Sequence, residues 1–190
     1  MSRTYLQRLV LASALTLGVT TAHAAEASQS DLVAALPKSK LTLAEGMRQA
    51  AKPGEAVISA KFEFDDNGKL SLSVYTAEKG LSVDSEKNVL KELSGSPEQT
   101  PWKPDVEIFK DVPHVARSAE QLTLMSLTSV ALLDVVAKAQ KTYPNGKVFS
   151  ITPEIKQRRA VAVVLVTNNG KVFEMSYKLL DGTLVEKRQH

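Results

Sequence analysis

The sequence predicts an α+β fold of two related units, each a helix packed on an antiparallel β-meander, joined by a linker and a bridging helix. Three observations carry this. Lys61 to Tyr75, KFEFDDNGKLSLSVY, reads as an alternating strand, an Asn-Gly turn and a second alternating strand. Val164 to Leu180, VLVTNNGKVFEMSYKLL, repeats that pattern. Ahead of each pattern lies a segment with helical spacing that ends in a stop, Pro53-Gly54 in the first case and Tyr143-Pro-Asn-Gly146 in the second.

Residues 1–24 read as a signal peptide. Arg3 and Arg8 give a positive start, Leu9 to Thr21 is apolar apart from the break at Gly18, and Ala22-His23-Ala24 presents small residues for cleavage after Ala24. The apolar stretch is shorter than the roughly 20 residues of a spanning helix. No cysteine follows to carry a lipid, so the expected location is the periplasm, with no membrane insertion after cleavage. Removing Arg3 and Arg8 from 24 basic residues leaves 22 against 21 acidic ones. That near-neutral balance lacks the positive field of a nucleic-acid binder. Zero cysteine excludes thiol nucleophiles, thiolate metal sites and disulfide staples, so packing alone must hold the fold.

Residues 25–40 form a small, polar leader with a short helix expected over Asp31 to Leu36. The first unit, 41–93, opens on Thr42-Leu-Ala-Glu45, whose spacing suits a capping box. Leu43, Met47, Ala50 and Ala51 share one helical face. Ile58, Ala60, Phe62 and Phe64 alternate with polar residues, as do Leu70, Leu72 and Val74 beyond the Asn67-Gly68 turn. A third strand is expected at Leu81 and Val83, leading to Val89-Leu90.

Residues 94–126 divide in two. SGSPEQTPWKP has three prolines and no periodicity, the mark of a surface linker. Pro113 to Met125 carries Val115, Ala116, Ala119, Leu122 and Met125 as a bridging helix that would hold the units in one orientation. The second unit, 127–190, places Val130, Leu133, Val136, Ala137 and Gln140 on the inner face of a helix from Ser129 to Lys141. A strand of Val148, Phe149 and Ile151 is interrupted at Pro153, and Arg158-Arg159 marks a turn before Val161, Val163 and Leu165. Asn169-Gly170 leads into Phe173, Met175, Tyr177 and Leu179, and Asp181-Gly182 precedes a closing Leu184-Val185. Phe62, Phe64, Phe173 and Tyr177 are expected in the core, and the terminal EKRQH as a frayed tail.

The helix, hairpin and LSVDSEKNVLKEL of Leu81 to Leu93 resemble the PepSY domain, whose last strand commonly ends V-x-V-D-x-x-x-G-x-V-L. Val83, Asp84, Val89 and Leu90 match, and Asn88 replaces the glycine as the next best residue for a left-handed turn. The second unit keeps the hairpin and Asp181-Gly182 but lacks V-x-V-D. The family occurs in propeptides of thermolysin-type metallopeptidases and in exported bacterial proteins. The resemblance implies a fold, a compartment and a protein-binding or peptidase-inhibiting role with another periplasmic or membrane protein, and no reaction or cofactor.

The residues themselves assemble no catalytic or metal-binding set. His114 beside Asp111 has no nucleophile in an elbow to serve and reads most simply as a surface histidine at a helix start. Lys156, Arg158 and Arg159 are the one basic cluster. They suit an anionic ligand or acidic partner surface, and also a solvated hairpin end that discourages edge pairing. Trp102 is either an interaction anchor or, more plainly, the residue that packs the linker onto a sheet. The expectation is a non-enzymatic binding module; the alternative is a small-molecule carrier with a cavity between helix and sheet or between the units.

Overall fold

The computed structural model describes residues 28–190, so the expected signal peptide lies outside the described residues. The chain runs α1 (Gln29–Ala35), α2 (Leu43–Ala50), β1 (Ala56–Phe64), β2 (Leu70–Ala77), β3 (Leu90–Gly95), β4 (Asp105–Ile108), α3 (Val112–Ser126), α4 (Leu132–Thr142), β5 (Lys147–Lys156), β6 (Arg159–Asn168), β7 (Lys171–Lys178) and β8 (Leu184–Gln189). The fold is α+β, and the strands form one eight-stranded sheet in the order β4-β3-β2-β1-β5-β6-β7-β8. Every neighbouring pair is antiparallel. The two groups of four strands meet where β1 pairs with β5 through Ala60–Ile151 and Lys61–Ser150.

The period-2 alternation sends Ala60, Phe62, Leu72 and Val74 to one face, where they pack with Met47 of α2 and Val135 of α4. The capping box predicted at Thr42 is present: Thr42 Oγ1 accepts from the Glu45 amide at 3.2 Å, and a Glu45 carboxylate oxygen accepts from the Thr42 amide at 2.7 Å. Gly46 lets α2 lie close on the sheet, since a Cβ there would stand 2.2 Å from Leu72 Cδ2. α3 covers the opposite face, with Val115, Ala119 and Leu122 against Ile58, Ala77, Leu90 and Phe109. Ala116 is exposed.

Both Asn-Gly pairs close hairpins, by different turns. Asn169 and Gly170 both adopt positive φ, 52° and 74°, and link the adjacent partners Asn168 and Lys171. In the first hairpin only Gly68 does, at 69°, and the Asp65 carboxylate caps the loop by accepting from the amides of Asn67 and Lys69. The two hairpins also hold different places in the strand order. Asn67-Gly68 joins β1 to β2, the first pair after α2, whereas Asn169-Gly170 joins β6 to β7, the second pair after α4.

Several expectations need correction. Leu81 and Val83 lie in a turn, and the third strand begins at Leu90. Asn88 is not left-handed, with φ −92°. Its side chain instead stitches the loop: Oδ1 accepts from the amides of Lys79 and Val89, and Nδ2 donates to the carbonyls of Gly80 and Val83. Asn88→Gly is therefore expected to lower stability by about 2 kcal/mol, the scale of stranding backbone groups that had partners, and not to relieve strain; a urea titration of both proteins measures it.

β5 continues through Pro153 because its pairing with β1 involves only Ser150 and Ile151, leaving one side free where an N–H is missing. α4 begins at Leu132 and buries Leu132, Val135, Val136 and Ala139, so its buried stripe is not the predicted one. Leu133 and Gln140 are half-buried and Ala137 is exposed. The terminal residues are not a frayed tail: β8 runs to Gln189 along β7, and the His190 amide donates to the Val172 carbonyl at 3.0 Å. The proline-rich segment is tied down as well. The Lys40 amide donates to the Pro97 carbonyl, Trp102 is buried, and β4 pairs with β3.

Candidate functional site

The structure does not gather the four contact residues expected from sequence into one exposed surface. Trp102 is 6% exposed, belongs to the main core and donates its indole N–H to the Gly95 carbonyl at 3.3 Å. Lys156 turns inward along the sheet and forms ion pairs with Glu174 and with Glu186, the latter at 2.7 Å. Its charge is thus balanced internally. Arg158 and Arg159 remain exposed at the β5–β6 turn, where Gln157 and Arg158 both take positive φ.

Glu174 is the hub of that end of the sheet. It also pairs with Arg188 at 2.9 Å and with His190 Nε2 at 3.2 Å. Burial disfavours its charge, but hydrogen bonds and charge from Lys156 and Arg188 outweigh burial and hold the carboxyl below the usual glutamate range. A carboxylate with a depressed folded pKa adds stability that is fully present above its unfolded value, about 4.3, and is lost as pH falls through the folded value. Glu174→Gln should therefore be less stable than wild type at neutral pH, with the deficit closing below about pH 4. Urea midpoints measured across that range test the sign.

The face covered by α3 holds a polar cleft of about 410 Å³ between that helix and the β1–β5 junction. The alternation of β1, β2 and β5 delivers Ser59, Lys61, Tyr75, Thr152 and Glu154 to it. From α3 come His114, Arg117, Glu120 and Gln121. Gln121 is 6% exposed and its Oε1 accepts from Ser59 Oγ at 2.8 Å. The Gln121 Nε2 makes no hydrogen bond to any described residue. His114, expected as a surface residue at a helix start, is exposed and pairs through Nδ1 with Asp111, the N-cap of α3, at 2.7 Å. Its ring stacks on Phe109, which stacks in turn on Tyr75. Burial first, then Glu63 and Glu92, pushes the Tyr75 phenol far above its ordinary range. Glu154 is also raised, by burial and then by the charges of Glu174 and Glu120.

One signal for this cleft was present in the sequence. Ser118 and Gln121 flank Leu122 on the inward side of α3, and buried polar residues at core-facing positions call for partners. A second opening, about 380 Å³, lies between α2 and α4. It is lined by Leu43, Leu133, Val136 and Ala137, with Arg48 and Lys147 at its margin. Burial lowers the Lys147 pKa, and its ammonium donates to the Leu36 carbonyl at 2.7 Å.

Among the described residues no group of three or more His, Asp or Glu side chains is placed to hold a metal ion. No helix there is long and apolar enough to cross a membrane. No protein-family model matches the chain, and no curated protein does. Among solved structures, the chain is similar to a protein described as a "putative lipoprotein" from Clostridium difficile 630, with 14% identity and a TM-score of 0.36. The match covers 73% of this chain and 84% of that one.

Proposed function

We propose that the chain is a non-enzymatic periplasmic binding module that engages a protein partner along the outer edge of β4. One observation carries the reading. β4 ends the sheet with all four residues exposed, and two of them are large and apolar, Val106 at 58% and Ile108 at 52% exposure. An extended partner segment pairing with its free backbone groups would cover both side chains. The periplasmic location rests on the signal peptide read from sequence at residues 1–24.

The two groups of four strands are read here as copies of one unit, of the PepSY type that Leu81 to Leu93 resembles. Supporting this, each group follows a helix and continues as a four-strand meander. The leading strand of each also shifts register at the same place, between its second and fourth residues: Val57/Ser59 in β1 and Val148/Ser150 in β5.

Affinity purification from periplasm with the wild type and with a Val106→Lys/Ile108→Lys variant tests the reading. The wild type should recover a defined protein that the variant loses. Recovery by both, or by neither, rejects it. A second reading, a small-molecule carrier, is favoured by the α2–α4 opening, where an apolar floor lies beside the ammonium of Lys147. Native mass spectrometry of freshly purified protein should then show an added mass, and a bare chain argues against a carrier.

A further inference from the structure

The cleft beneath α3 combines three polar groups without an ion-pair or hydrogen-bond partner among the described residues. Gln121 is 6% exposed and lines the cleft, with its Oε1 committed to Ser59 and no described residue accepting from its Nε2. That amide is free to donate to a ligand that enters the cleft. Arg117 lines the same cleft and forms no ion pair with a described residue, while Lys61 is already paired with Glu63. Glu154, on the β5 side, is half-buried and likewise has no cation within ion-pair distance among the described residues.

The lining carries both signs, Lys61 and Arg117 with Glu120 and Glu154. Arg117 lies within electrostatic reach of Tyr75 on β2, where Glu63 and Glu92 also act, and Glu120 within reach of Glu154 on β5, where Lys156 and Arg188 also act. The cleft therefore offers an amide donor and a guanidinium together with carboxylates. A volume of about 410 Å³ lies within the range of pockets that take small ligands.

We infer that this cleft binds a small zwitterion of the amino-acid or dipeptide type, its carboxylate on Gln121 Nε2 and Arg117 and its ammonium on Glu154. A bare anion would face Glu120 and Glu154, and a bare cation would face Arg117. A ligand carrying both charges satisfies the free guanidinium and the free carboxylate together, through charge-assisted hydrogen bonds that are stronger than neutral ones. The site does not depend on whether a protein partner engages β4, which lies at the edge of the sheet while the cleft lies at its centre.

Isothermal titration of the mature protein tests the inference with L-alanine, L-glutamine and Ala-Ala, beside N-acetyl-L-alanine and L-alaninamide. At least one of the free zwitterions should bind, and each capped form, lacking one charge, should bind at least about tenfold more weakly than L-alanine or Ala-Ala, whichever is tighter. Glu154→Gln should weaken the zwitterion by a similar factor and leave N-acetyl-L-alanine unchanged. Arg117→Gln, at an exposed position that does not threaten folding, should do the reverse, weakening the zwitterion while sparing L-alaninamide. Absence of binding by every probe overturns the inference. So does equal binding of capped and free forms, or a variant that weakens all probes alike.

Discussion

Leu122→Asp should lower stability by about 4 kcal/mol or more, and the wild-type protein should unfold in a single transition that the substitution moves to lower temperature. Leu122 is 2% exposed and packs among Ile58, Ala77, Leu90 and Phe109. A carboxylate placed there finds no cation among those neighbours and must either stay charged without water or take up a proton. The effect reaches both strand groups, since α3 lies over β1 and β5 where they meet and Met125 at its far end joins the main core. The two groups share one sheet and one core, and that continuity underlies the single transition. Calorimetry of both proteins is the measurement. Two separated transitions in the wild type, or an unchanged melting profile in the variant, would mean that the helix is a spacer between independent units.

Lys91→Met should cost about 3–5 kcal/mol, and adding Glu55→Gln should restore most of that loss. The Lys91 ammonium pairs with Glu55 at 2.7 Å and with Glu78 at 3.2 Å, and the Lys91 and Glu55 side chains are only 6% and 7% exposed. Burial works against the Lys91 charge, yet Glu55 and Glu78 outweigh it and raise its pKa. Removing the lysine alone strands a buried carboxylate whose second oxygen, Oε2, already has no partner. Removing both charges leaves an apolar methionine beside a neutral glutamine, with no buried charge. Denaturant titrations of the wild type, single and double variants close the cycle, and a double variant as unstable as the single would show that the pair is not the source of the loss.

How much of this was legible in the sequence depended on the range over which each feature is decided. The capping box at Thr42, the two Asn-Gly hairpins and the bridging helix are short-range features, set by turn chemistry and by the spacing of a few apolar residues. The inner face of α4 was not decided that way. Leu132 and Leu133 are adjacent, so periodicity permits either stripe, and packing on the sheet selected Leu132, Val135 and Ala139. Asn88 was read as a substitute for glycine, but its role comes from four hydrogen bonds to a loop whose path no local pattern shows. Lys156 carries the same lesson for the candidate site, since a lysine in a basic cluster looks available until Glu174 claims it. Trp102 instead follows the plainer reading of its segment and packs into the core.

The sequence by itself determined the α+β class, the antiparallel hairpins and the freedom from disulfides, because alternation, turn residues and the absence of cysteine act locally or compositionally. Only the tertiary structure decided that β1 pairs with β5 to make one sheet, that α3 crosses the face opposite α2 and α4, and that Ser59, Gln121, Arg117 and Glu154 line one cleft. Ser59 and Gln121 lie 62 positions apart in the chain. Contacts at that separation are fixed by which apolar faces bury together, and the cleft's polarity is a consequence of that packing.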